Sequence, residues 1–140
     1  MDFKKAKEIY NKKYNEAFNK TGVFWAFGIN QFNENKTHKK APNNHYISIG
    51  GGGYIHKSNK EKLNYFYKEI APKLKNEFLN SVNMDDLIEY ELTNYECYYT
   101  GDWYCIIELI KDYYPNIDAE KEIKRVYDNT KEKKWELMGL

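Results

Sequence analysis

No run of about 18 apolar residues occurs in this chain, so nothing in it is built to cross a bilayer as a helix. Lys4 to Asn15 lacks the apolar stretch of a secretory signal, and a cytoplasmic protein is expected. Cysteine is scarce. Cys97 and Cys105 stand eight apart rather than as a Cys-x-x-Cys pair. In the cytosol both are expected to stay reduced and unbridged. Histidine is scarce too, and none of His38, His45 and His56 lies three or four residues from another. No metal pair is therefore written into a helix, and neither a metal nor another cofactor is expected.

An excess of charge of one sign is also missing. The 22 basic and 21 acidic side chains leave a formal charge of +1. A nucleic-acid binder of this size would show a basic face, so no sequence-specific nucleic-acid partner is expected. Lys4, Lys5, Lys12 and Lys13 share the first helix with Glu8 and Glu16 and read as a solvated face.

What is abundant is tyrosine, with 14 residues among 140. A tyrosine packs through its ring and hydrogen-bonds at its rim, which suits boundaries and interfaces. The aromatics gather in Tyr95 to Trp103, which also holds a thiol, two carboxylates and a glycine. That stretch is too polar for plain core and too aromatic for a plain loop.

Apolar spacing gives the organisation. Phe3, Ala6, Tyr10, Tyr14, Ala17 and Phe18 form one helical stripe, ended near Gly22. Val23 to Phe27 reads as a buried strand and His45 to Ile49 as a second, paired with it antiparallel. One or two helical turns over 29–36 and a loop over 37–44 separate them. Ser58 and Glu61 have the form of a capping box opening a helix, which Pro72 should kink or break near 69–71. Asn83, Asp102 and Asp118 are candidate caps for three further helices. The expectation is a helix-rich α+β protein with a small antiparallel sheet. It should form a single compact domain over 1–140, with a charged tail from about 131.

The glycine run invites a phosphate reading and fails it. Gly50-Gly51-Gly52-Gly53 is followed by Tyr54-Ile55, where a Walker loop needs Lys-Ser/Thr and a dinucleotide fingerprint needs glycine at 55. Bare glycine backbone instead permits positive φ and close approach. A bent strand end is the first expectation and a contact surface the second. A nucleophile–base–orienter set could be forced from Cys97, a histidine and Glu96, but a thiol between aromatics reads as structural.

Three stretches together are distinctive: Gly22 to Phe32, Tyr46 to Tyr54 with Lys57, and Tyr90 to Asp102. On these the chain resembles a group of small uncharacterised proteins of bacteriophages, prophages and conjugative elements. Such proteins usually carry histidine where Tyr95 stands and proline where His56 stands. The resemblance implies no enzymatic activity. It implies an inhibitor of bacterial defence in the host cytoplasm, foremost an anti-CRISPR protein that binds a nuclease effector. The expected binding residues are Gly50, Gly51, Gly52, Gly53, Tyr54, Tyr95, Glu96, Tyr98, Tyr99, Asp102 and Trp103. Two alternatives stand beside this reading. One is a nucleotide-signal binder stacking a base on Tyr54, Tyr98 and Trp103, and the other a small hydrolase using Cys97 or a carboxylate pair.

Overall fold

The computed structural model describes residues 2–140. They gather into two compact units, a sheet unit over 7–76 and a helical unit over 2–6 and 77–140. The fold is the helix-rich α+β arrangement expected, with one small antiparallel sheet. No helix among the described residues is long and apolar enough to cross a membrane.

The first helix, α1 (Phe3–Asn19), follows the expected stripe. Within the sheet unit Tyr14 and Phe18 set their rings edge-on against Phe66, with centroids 5.1 and 5.5 Å away. The sheet has strands β1 (Phe24–Trp25), β2 (Tyr46–Gly50) and β3 (Gly53–His56). Their order is β1-β3-β2, all antiparallel. The expected direct pairing of 23–27 with 45–49 is therefore wrong, because β3 lies between them. The glycine run is the turn that makes this possible. Gly50 pairs with Gly53, and Gly51 and Gly52 between them have φ +59 and +83. Two consecutive positive φ values are what a primed two-residue hairpin turn demands.

Helix α2 (Ile29–Asn35) covers one face of the sheet. Phe24, Ala26, Phe32 and Tyr46 are buried there, and Tyr54 packs against them. Ring centroids lie 5.0–5.5 Å apart and the ring planes meet steeply, the edge-to-face arrangement that aromatic quadrupoles favour. The expected burial of Val23–Phe27 on both faces does not occur. Period-two alternation turns Phe24 and Ala26 inward, whereas Trp25 and Phe27 point out.

Pro72 does not break its helix. Helix α3 (Lys60–Tyr65) runs through a π turn over Phe66–Ile70 into α4 (Ala71–Ser81). The amide of Ala71 donates to Phe66 O, five residues back. A proline has no amide to donate and crowds the carbonyl four residues earlier. Widening the turn just before it relieves that crowding while the helix continues. The Ser58–Glu61 capping box does not form either. The Ser58 amide donates to His56 Nδ1 at 3.2 Å instead.

The helical unit contains α5 (Met84–Asn94), α6 (Cys97–Thr100), α7 (Ile107–Tyr113) and α8 (Ala119–Leu137). Asn83 Oδ1 accepts the amide of Asp85 at 2.8 Å, and Asp118 Oδ1 that of Lys121 at 3.2 Å, so both expected caps are in place. Leu87, Ile88, Leu92, Ile106, Ile110 and Ile123 are fully buried. The charged stretch from Lys131 is helical. It continues α8, and the Trp135 indole N–H donates to Tyr98 O at 2.8 Å. Gly139, at φ +76, closes the helix in a Schellman pattern, with Leu140 N donating to Trp135 O and Gly139 N to Glu136 O.

Candidate functional site

Two surfaces present aromatics, one on each unit. The first is the Tyr95–Tyr104 stretch of the helical unit. Glu96 reverses the chain between α5 and α6 at φ +57, the one non-glycine with positive φ among the described residues. Its carbonyl accepts the amides of Tyr99 and Thr100, both at 3.1 Å. This tight reversal splits the aromatics by environment. Tyr99 is 71 % exposed and Tyr104 63 %, with Tyr95 exposed beside them. Trp103 is half-buried and stacks on Tyr104 with centroids 4.9 Å apart.

Tyr98, expected to bind, is core instead. Its ring stacks on Tyr127, its hydroxyl shares a hydrogen bond with Thr130 Oγ1, and burial pushes its phenol up to about 12. Asp102 Oδ1 accepts the Tyr104 amide at 2.9 Å, but the expected helix cap does not form. Trp103 begins the 3-10 turn over Tyr104–Ile106 and Ile106 begins α7, neither with a side-chain cap bond. Cys97 is buried, with Cys105 Sγ 3.9 Å from its own Sγ, and both are free thiols. Burial first, then the Cys105 hydrogen bond, push the Cys97 thiol up to about 12, the opposite of an activated nucleophile. A cavity of about 250 Å³ opens here, lined by Thr93, Glu96, Tyr98, Tyr99 and Met138.

The second surface is the hairpin end of the sheet, where Trp25, Phe27, Ile29 and Ile49 are exposed. A Cβ on Gly52 would fall 2.6 Å from the Phe27 ring, and one on Gly53 2.8 Å from the Trp25 ring and 2.9 Å from Ile49. The glycines therefore serve as the floor on which the rings lie. Gly50 and Gly51 are open, Gly52 and Gly53 are covered, and Tyr54 belongs to the aromatic core. Of the residues expected to bind, Gly52 and Gly53 thus lie beneath rings and Tyr54 packs in the core, and the side chains exposed at this end are Trp25, Phe27, Ile29 and Ile49. The sequence held a signal for this, since alternation that buries Phe24 and Ala26 must expose Trp25 and Phe27.

At the other end of β2 and β3 the three histidines meet. His38 stacks on His56 with centroids 4.0 Å apart, and His45 lies 6.0 Å from His56. His56 Nδ1 accepts the Ser58 amide, which requires that nitrogen unprotonated. Desolvation first, then His38, His45 and Lys57, hold His56 below the usual histidine range. Among the described residues no group of three or more His, Cys, Asp or Glu is placed to hold a metal ion.

Charge separates the two surfaces. The sheet unit carries thirteen lysines against five glutamates, a formal +8. The helical unit carries nine basic against sixteen acidic side chains, a formal −7. The balance that argued against a basic face is a cancellation between two oppositely charged units. Residues 77–110 hold eight carboxylates and no lysine or arginine.

The class defined by this architecture is a small helix-rich α+β protein with an antiparallel three-stranded sheet. Over residues 6–133 the chain matches the model of a family of unknown function, DUF7659, and it belongs to that family. No curated protein and no solved structure matches it.

Proposed function

We propose that this is a non-catalytic binding protein whose helical unit occupies a basic, nucleic-acid-binding surface on a partner protein. The observation that carries this reading is the 77–110 stretch. It places eight carboxylates in a stretch without a lysine or arginine, and it presents the exposed rings of Tyr95, Tyr99 and Tyr104. Of these carboxylates Glu91 is buried, and Asp85, Glu89 and Glu108 pair with Arg125, Lys134 and Lys111 from beyond the stretch. The formal −7 of the unit suits it to compete for the groove that a nuclease reserves for phosphates. Exposed tyrosines supply anchors that carry most of the affinity in such contacts. The partner class follows from the resemblance to mobile-element proteins: a nuclease effector of bacterial immunity, CRISPR nucleases first. The burial and high thiol pKa of Cys97 disfavour it as the nucleophile of a hydrolase. The burial of Tyr98 disfavours a base-stacking pocket built on it.

The test is a competition assay on a panel of purified CRISPR nucleases, reading displacement of guide or target nucleic acid and loss of cleavage. Inhibition that weakens with salt and with Tyr99→Ala or Tyr104→Ala supports the reading. Direct binding with unchanged nucleic-acid affinity overturns the groove, and no binding to any effector overturns the partner class.

A further inference from the structure

We propose that the sheet unit binds single-stranded nucleic acid, stacking bases on Trp25 and Phe27 and holding phosphates with the lysines that follow α2. Trp25 is 49 % exposed and Phe27 79 %, although each ring rests on glycine backbone that fixes its position. The backbone beneath them is tied to α2. The Phe27 amide donates to Gln31 Oε1 at 2.7 Å, and Asn35 Nδ2 donates to Trp25 O at 2.8 Å. The lysine segment therefore starts beside Trp25, with Lys36, Lys39 and Lys40 directly after Asn35.

Those charges are not neutralised where they sit. Lys36 Nζ donates to Ala41 O and Asn43 Oδ1, and Lys39 Nζ donates to Glu34 O, all uncharged acceptors. Lys40 and Lys57 are exposed. From Lys20 to Lys60 stand six lysines and a single acid, Glu34. Fixed exposed rings at one end of the sheet, with an uncompensated lysine segment leading from them toward the other, suit an extended ligand with flat faces and a charge at every repeat. A single strand offers both, whereas a duplex keeps its base faces inside the stack. An acidic peptide would satisfy the lysines and leave the two rings without flat partners.

The experiment titrates the full chain into a fluorescein-labelled oligothymidylate of about 15 nucleotides, a length that covers one such site, and reads anisotropy. Saturable binding is expected, weakening between about 50 and 200 mM salt with a log–log slope near −0.7 per phosphate contact. Trp25→Ala and Phe27→Ala should each weaken binding about tenfold. Lys39→Glu and Lys40→Glu should each flatten the salt slope by about one. Phe27 is so exposed that its alanine variant keeps the fold, which its melting curve verifies. No binding at the lower salt overturns the proposal. So does wild-type affinity in both ring variants, or polyglutamate competing as well as the oligonucleotide, which would make the occupant an acidic protein. An equal loss in Tyr99→Ala would move the binding to the other unit and overturn it as well.

Discussion

In the helical unit the fully buried side chains are nearly all aliphatic: Leu87, Ile88, Leu92, Ile106, Ile110 and Ile123. In the sheet unit the interior is mostly rings, Phe24, Phe32, Tyr46 and Tyr54 on one side and Tyr14, Phe18 and Phe66 on another. Side-chain caps occur on α5 and α8 of the helical unit, though not on its short α6 and α7, and on neither α2 nor α3 of the sheet unit. One unit is acidic and the other basic. The difference teaches that the two units are stabilised differently and display different chemistry, so substitutions should not be interchangeable between them.

The largest effect should come from the aliphatic core. Ile110→Ala removes a fully buried side chain and should cost about 2–5 kcal/mol. Phe27→Ala removes a larger but exposed one and should stay within about 0.5 kcal/mol. Urea unfolding of both variants measures the contrast. Equal losses would mean that the hairpin rings are core after all.

The next effect tests the glycine floor. Gly51 and Gly52 share a positive φ, but only Gly52 lies under a ring. A valine at either position meets backbone strain of about 1–2 kcal/mol. At Gly52 it also drives its Cβ into Phe27. Thermal melting should therefore rank Gly52→Val below Gly51→Val, and combining Gly52→Val with Phe27→Ala should recover the difference. If the two valines melt together, the ring does not rest on Gly52.

Caps give a smaller difference. Asn83→Ala leaves the amide of Asp85 without its acceptor and should cost about 1 kcal/mol. Asn59→Ala, at the start of α3, removes no capping bond and should be nearly silent. Urea midpoints compare the two.

These contrasts also mark what was legible in the sequence. Asn83 and Asp118 were legible because a cap is a local device, decided within three residues. Strand β3 was not, because Gly53 reads as a breaker until its pairing with Gly50 and Trp25 is known. The short helix α6 was hidden by Glu96, since nothing local marks a glutamate for left-handed backbone. The π turn before Pro72 was hidden because relief of a proline clash depends on the whole helix. Tyr98 and Tyr99 are neighbours with the same side chain, and only the burial of one against Tyr127 and Thr130 tells them apart. The charge division was countable, yet the total of +1 concealed it.

The smallest effect is a pH dependence that falls in a different window for each unit. His56 faces His38, His45, Tyr46 and Lys57, and its Nδ1 accepts the Ser58 amide. Its folded pKa is held below that of the unfolded chain, so the folded state prefers the neutral ring. Its contribution to stability is then present above about pH 6.5, the unfolded value, and is lost as pH falls through the folded one. Asp85 behaves in the same direction but in a lower window. Its hydrogen bond to Arg125 holds the carboxyl below the ordinary carboxylate range, so its contribution disappears only at stronger acid. Melting temperatures followed from neutral pH downward should therefore fall in two steps. His56→Gln should remove the first step and leave the second, while Asp85→Asn should leave the first and shrink the second, to which Asp128 also contributes through Lys124. A first step that survives His56→Gln would place the titrating group elsewhere in the histidine cluster. The absence of any decline above the carboxylate range would show that the stacked imidazoles tolerate protonation.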